Sequence, residues 1–300
     1  MDFGRLDQFE DQPHTLPTDD AITGRTLTGR TTPLSVRIGL PIWGNRQWVG
    51  RLYPKGTHPR DLLTSYARLL PTVEVSSTFY HPPAPEQLAR WADAAPAGFR
   101  FCPKLPRRIT HERGANLDVE IDAYVRAVTE GFGARHGATL VQLPPSLGPR
   151  DKRRVFEILR RFPADFPVNL ELRHEGWFTD RPLRDRLFTW LNQVGIGLVI
   201  TDTSGRRDAV HMAVTAPRVV IRFAGNSLHP SDHARVDRWA ERISTWSQSG
   251  LQELYFFVHQ PDELKGVPLI NHLIARLSEH GVADLPPCPL VDAPEQRQLW

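Results

Sequence analysis

The sequence predicts a single (β/α)8 barrel of the TIM type. Three observations carry this: eight short apolar runs, helical patterns between most of them, and a length of 300 residues, which suits one large α/β domain. A doubly wound open sheet is the main competitor. It is disfavoured because no Gly-x-Gly-x-x-Gly segment joins a strand to a helix.

The elements follow in chain order. Residues 1–32 are rich in Thr, Asp, Gly and Pro without periodicity and read as a polar tail or a strap over the surface. Strands are expected at 35–40 (SVRIGL), 72–76 (TVEVS), 99–104 (FRFCPK), 138–143 (ATLVQL), 168–173 (VNLELR), 197–202 (GLVITD), 218–223 (RVVIRF) and 253–259 (ELYFFVH). Helical patterns fall at 59–70, 85–94, 118–133, 150–161, 180–194, 231–248 and 262–280. The sixth connection, TSGRRDAVHMAVTAP, has room for only a stub of helix. The barrel therefore spans 33–283, followed by a Pro-broken C-terminal tail at 284–300.

Alternation assigns the faces. In a barrel strand successive side chains point to the outer helices and to the lumen. Val168, Leu170 and Leu172 should face the helices, while Asn169, Glu171 and Arg173 face inward. The same phase turns Glu74, Lys104, Gln142, Asp202, Arg222 and His259 inward, each near the C-terminal end of its strand. That end is where such barrels place their active sites. Buried charges must pair with one another or meet a ligand. His174 and Trp177 follow the fifth strand, and Trp43 and Tyr80 follow the first and second, where aromatic rings stack on ligands or lid the barrel.

The segment KLPRRITHERGAN crowds Lys104, Arg107, Arg108, His111 and Arg113 into ten residues. An anion, or acidic residues of the rim, would relieve their repulsion. The helix at 150–161 is equally basic, but Val155, Phe156, Ile158 and Leu159 give it an ordinary buried face.

Bulk composition restricts the classes. Against 37 basic residues stand 34 acidic ones, a net charge of +3 that argues against strong nonspecific nucleic-acid binding. The two cysteines, Cys102 and Cys288, lie in no metal-ligand spacing. No signal peptide or membrane-spanning run is visible, so a cytoplasmic protein is expected.

The stretches VEVSSTFYHPP, CPKLPRRITH, LVQLPPSL and LELRHEGWF resemble the domain-of-unknown-function 72, or YecE-like, family. The resemblance covers about residues 35–280 and implies a (β/α)8 barrel. The family's three polar segments fall on Glu74 through Tyr80, then on Lys104, Pro106, Arg107, Thr110 and His111, then on Glu171, Arg173, His174 and Trp177. Where members carry a Thr–Ser–Gly–Trp run after the first strand, this chain reads GLPIWG, and its last strand ends FFVHQPDE instead of in an Asn-rich turn. Structurally the family is similar to barrels such as apurinic endonucleases and sugar isomerases, a likeness of fold alone.

These readings lead to an expected enzyme acting on a small anionic, phosphate-bearing substrate by general acid/base chemistry. Glu74, Glu171, His174 and Asp202 are the expected catalytic groups. Lys104, Arg107, His111, Gln142, Arg173, Arg222, His259, Trp43, Tyr80 and Trp177 are the expected substrate contacts, with no metal or cofactor, no membrane and no identifiable protein partner. Two alternatives stand beside this. One is metal-assisted phosphodiester hydrolysis using Glu74, Glu171, Asp202 and His259; the other is a non-catalytic nucleic-acid- or ligand-binding barrel.

Overall fold

The structure, a computed structural model, describes residues 14–29, 32–82 and 84–290. Eight strands occur among these residues: β1 (Ser35–Leu40), β2 (Thr72–Val75), β3 (Arg100–Pro103), β4 (Thr139–Gln142), β5 (Val168–Glu171), β6 (Gly197–Asp202), β7 (Arg218–Ala224) and β8 (Glu253–His259). The intervening helices are α1 (Ala21–Thr26), α2 (Leu62–Ala67), α3 (Ser77–Tyr80), α4 (Pro85–Asp93), α5 (Arg107–His111), α6 (Leu117–Phe132), α7 (Lys152–Leu159), α8 (Gly176–Thr179), α9 (Arg181–Gln193), α10 (Pro230–Ser249) and α11 (Gly266–Glu279). All neighbouring strands run parallel, in the order β3-β2-β1-β8-β7-β6-β5-β4. The barrel closes between β3 and β4 through isolated bridges, Phe101 with His136 and Lys104 with Leu140. It is a nearly closed TIM-type barrel.

Each predicted strand lies within two residues of its expected bounds. The sixth connection carries only a single turn at Arg207–Ala209, as its length requires. Four short helices were not foreseen, and three of them (α3, α5 and α8) sit on the rim. Periodicity cannot reveal helices of four to six residues, which are shorter than two turns.

The lumen is filled in three layers. At the N-terminal end Arg218 donates to Asn169 Oδ1 at 2.9 Å, and Arg37 pairs with Glu253 at 3.6 Å. Cys102, Leu140, Val199, Val220, Tyr255 and Phe257 form a dry middle layer. Above them lies the charged layer that makes the site. Outside, Val168, Leu170 and Leu172 join the main core between sheet and helices, as their phase predicts.

Residues 14–29 are a strap across the barrel wall. Asp20 caps α1 by accepting from the Ile22 N–H at 3.0 Å and pairs with Arg184 of α9 at 3.2 Å. Trp246 of α10 donates to Asp19 Oδ2 at 3.0 Å, and Thr23 donates to the Met212 carbonyl at 2.8 Å. Residues 1–13 of the expected tail lie outside the described residues, as do 291–300 of the C-terminal one. Before that point the chain is pinned: the buried Cys288 exchanges two hydrogen bonds with the Asn271 side chain of α11. No helix among the described residues is long and apolar enough to cross a membrane.

Candidate functional site at the barrel rim

The charged layer is one connected network. Arg222, from β7, faces two carboxylates at once. Its Nε and Nη2 donate to Glu74 at 2.8 and 2.9 Å, and its Nη1 donates to both oxygens of Glu171 at 3.0 and 2.9 Å. Lys104 meets the far side of Glu74 at 2.8 Å, and Arg173 meets Glu171 at 2.9 Å. Gln142 Oε1 accepts from both, at 3.3 Å from Lys104 and 3.0 Å from Arg173. Thr201 of β6 donates to Glu171 at 3.0 Å, and His259 Nε2 stands 3.1 Å from Glu74 Oε2. Seven strands therefore contribute to the network, β3 through Lys104 just past its end, and alternation placed every one of these residues except Thr201.

The electrostatics follow from this pairing. Burial alone would raise the Glu74 carboxyl, but Arg222 and then Lys104 outweigh it and hold it well below the carboxylate range. For Glu171 burial is likewise overcome, here by Arg173, Arg222 and Lys104, bringing it down to about 2. Both therefore stay ionised near neutral pH, a poor setting for a general acid. Burial pushes the Lys104 ammonium down, against the pull of Glu74. Burial also lowers His259 to about 4, with Glu74 opposing and Arg222 adding to the shift, so its ring is neutral at pH 7. With Glu74 ionised, the ring hydrogen belongs on Nε2 and donates to that carboxylate. Nδ1 is left as the basic nitrogen.

Above the network opens a cavity of about 410 Å³. Glu74, Lys104, Gln142, Arg173, Arg222, His259 and Tyr80 line it, all of them predicted. Glu171 lies beneath, touching it through the two arginines. Phe79 lines it beside Tyr80, and Ser76, Gln260 and Glu263 line it as well and were missed. Ser76 was within reach, being one period above Glu74 on the same face; its Oγ donates to Glu74 at 3.3 Å. Gln260 and Glu263 lie beyond the end of β8, where alternation no longer applies.

Several predicted residues stand elsewhere. Asp202 does not enter the lumen; it faces outward, where it pairs with Arg207, with Arg235 of α10 at 2.9 Å, and with the Trp239 indole N–H at 2.7 Å. The lumen position belongs to Thr201. His174 turns away from the network into a separate cavity of about 500 Å³ between the loops after β4 and β5. There its Nδ1 accepts from the Gly176 N–H at 2.9 Å. Its ring fills the space at Gly148, where an added Cβ would come 2.7 Å from Nε2. Trp177 is buried and donates to the Leu147 carbonyl at 2.8 Å, so it packs the wall and lines neither of these two cavities.

The basic segment after β3 proves to be mostly self-satisfied. Arg107 pairs with Glu112 at 3.7 Å, Arg108 with Glu120 at 2.8 Å and Arg113 with Asp151 at 3.3 Å, all on the outer surface. Of the five basic residues only Lys104 reaches the pocket. His111 packs edge-on against Phe79 at 5.1 Å and lies behind the pocket wall, its ring lowered to about 4 by burial and by Arg107. Trp43 lies beside the pocket, against Trp91. Among the described residues no three of His, Cys, Asp and Glu gather as metal ligands.

The family described as "Protein of unknown function DUF72" matches residues 37–292. UPF0759 protein YecE of Escherichia coli K12 is 28% identical over 256 residues, covering 79% of this chain and 91% of its own. A DUF72 family protein of Enterococcus faecalis superposes with a TM-score of 0.66 at 19% identity, over 87% of this chain and all 100% of its own. Another, from Thermotoga maritima, gives 0.59 at 22% identity, over 81% and 98%. At these identities the two structures establish the shared barrel. With its sequence matched from the first strand to beyond the last helix, this chain belongs to the DUF72 family.

Proposed function

We propose that the rim pocket binds a small anionic, phosphate-bearing substrate and that His259 moves a proton on it. The carrying observation is one of charge: three cations, the buried Lys104 and Arg222 and the partly buried Arg173, surround two buried carboxylates, Glu74 and Glu171. The floor of the pocket therefore holds one positive charge in excess. A fully compensated ion-pair network would have no such surplus. Glu263 also borders the cavity, but from the β8 side, across the barrel from Lys104 and Arg173. This polarity sets the anion toward β3 and β5. The part of the substrate that exchanges a proton lies toward His259.

The roles divide by chemistry. Lys104 and Arg173 offer N–H donors to phosphate oxygens. Glu74 fixes the His259 tautomer, as the orienting carboxylate does in a carboxylate–histidine pair. Glu171 holds the two arginines apart. An anion placed over this floor favours the charged imidazole, so binding should raise the His259 pKa toward neutrality, where a proton carrier works.

Two measurements test this. Inorganic phosphate at a hundred times its dissociation constant should stabilise the wild type by about 2.7 kcal/mol, and Lys104→Met should lose that gain. In an NMR titration the His259 resonance should move at about pH 4 in free protein and by roughly a unit or more higher with phosphate bound. Because the folded value lies below the ordinary 6.5, the neutral ring's contribution to stability is complete above about pH 6.5 and lost as pH falls toward 4. Bound phosphate should narrow that window. If phosphate neither stabilises the protein nor moves His259, the network is purely structural and the proposal fails.

A further inference from the structure

The charged pocket does not end at its charges. Beside it runs an apolar groove of about 510 Å³ whose floor and side include Ile42, Trp43 and Trp91. Pro41, Ile42 and Ser76 line both spaces, so no wall separates them. Trp43 and Trp91 meet edge-to-face at 5.1 Å, and both rings are only half-buried. The backbone beneath is fixed, because the buried Tyr53 hydroxyl donates to the Trp43 carbonyl at 2.7 Å.

We infer that the ligand of this site is an anion joined to a flat aromatic group, with the anion over Lys104 and Arg173 and the ring against Trp43. The inference rests on the anion reading above and narrows its substrate class. The decisive point is what Pro41 and Ile42 lack. Pro41 has no N–H, and neither side chain carries a polar atom. A polyol extension from the phosphate would shed water there and find few hydrogen bonds in return, since Asn45, Ser76 and Ser77 are the polar members of a lining that is otherwise largely apolar. A planar apolar group would gain by burial and by stacking on the indoles. The geometry thus disfavours a bare sugar phosphate, which the charged pocket alone would accept.

The experiment compares three probes by calorimetric titration: inorganic phosphate, 1-naphthyl phosphate and 1-naphthol. Wild type should bind 1-naphthyl phosphate about tenfold or more tighter than inorganic phosphate, while 1-naphthol binds far more weakly than either. Trp43→Ala should reduce the naphthyl advantage to about threefold or less and leave phosphate affinity within about twofold. Ile42→Ser, which leaves the Trp43–Trp91 contact in place, should reduce it in the same direction. Equal affinity of wild type for the two phosphates, or an advantage untouched by both substitutions, overturns the inference while the anion reading stands. Failure of both phosphates to bind, or 1-naphthol binding as tightly as its phosphate, overturns the anion reading and this inference with it.

Discussion

Replacing Arg222 by Ala should destabilise the protein by about 3–5 kcal/mol at pH 7, or prevent folding altogether. This guanidinium bonds directly to both Glu74 and Glu171, and all three groups are almost fully buried. Without it two carboxylates face a cavity in the middle of the barrel, each left with a single cation, Lys104 or Arg173. The deficit should shrink on acidification, because both carboxyls would titrate at higher pH in the variant than in the wild type and protonation would relieve them. Arg222→Lys keeps the charge but cannot fork to two carboxylates, so its loss should be intermediate. Urea unfolding at pH 7 and pH 5 measures all of this. A loss below about 1 kcal/mol for Arg222→Ala would mean that Lys104 and Arg173 suffice to hold both carboxylates.

A comparable loss is expected at Asp202, with a different functional signature. Asp202→Ala removes the acceptor of Arg235, Arg207 and the Trp239 indole, leaving a buried guanidinium and a buried N–H without their main partner. About 3–5 kcal/mol should be lost. Asp202→Asn retains an oxygen for Trp239 and should lose less. Phosphate should still stabilise both variants by as much as it stabilises the wild type, since Asp202 lies outside the barrel wall. Loss of the phosphate effect with stability intact would return Asp202 to the site and refute the outward assignment.

The case of Asp202 marks where the sequence stops being legible. Alternation works where one face is polar, as in TVEV, where Glu74 stands between two valines. In GLVITD both faces are apolar, because barrel strands are covered on both sides. Val199 fills the lumen while Leu198 and Ile200 pack outward, and nothing in the residue types separates them. Thr201 and Asp202 could then be exchanged. His174 and Trp177 were misplaced for another reason: β5 ends at Glu171, and beyond it the chain turns into α8, where strand phase has no meaning. The basic segment misled through its partners, since Glu120 and Asp151 are brought beside it only by folding. What was readable in advance was the network itself. Glu74, Lys104, Gln142, Glu171, Arg173, Arg222 and His259 each sit in or just beyond a strand whose greasy alternate positions fix the register.

The strap has a consequence in time. Asp19 meets Trp246 across 227 residues of chain. During synthesis at roughly 5–20 residues per second, that contact waits some 11–45 s after Asp19 is made. Throughout this interval Asp19 has neither Trp246 nor Arg242 to engage, and β6 emerges before α10 can cover Asp202. The last-made third of the barrel thus locks the strap into place, and a ribosome pausing before α10 would hold the nascent chain with its outer ion-pair cluster open.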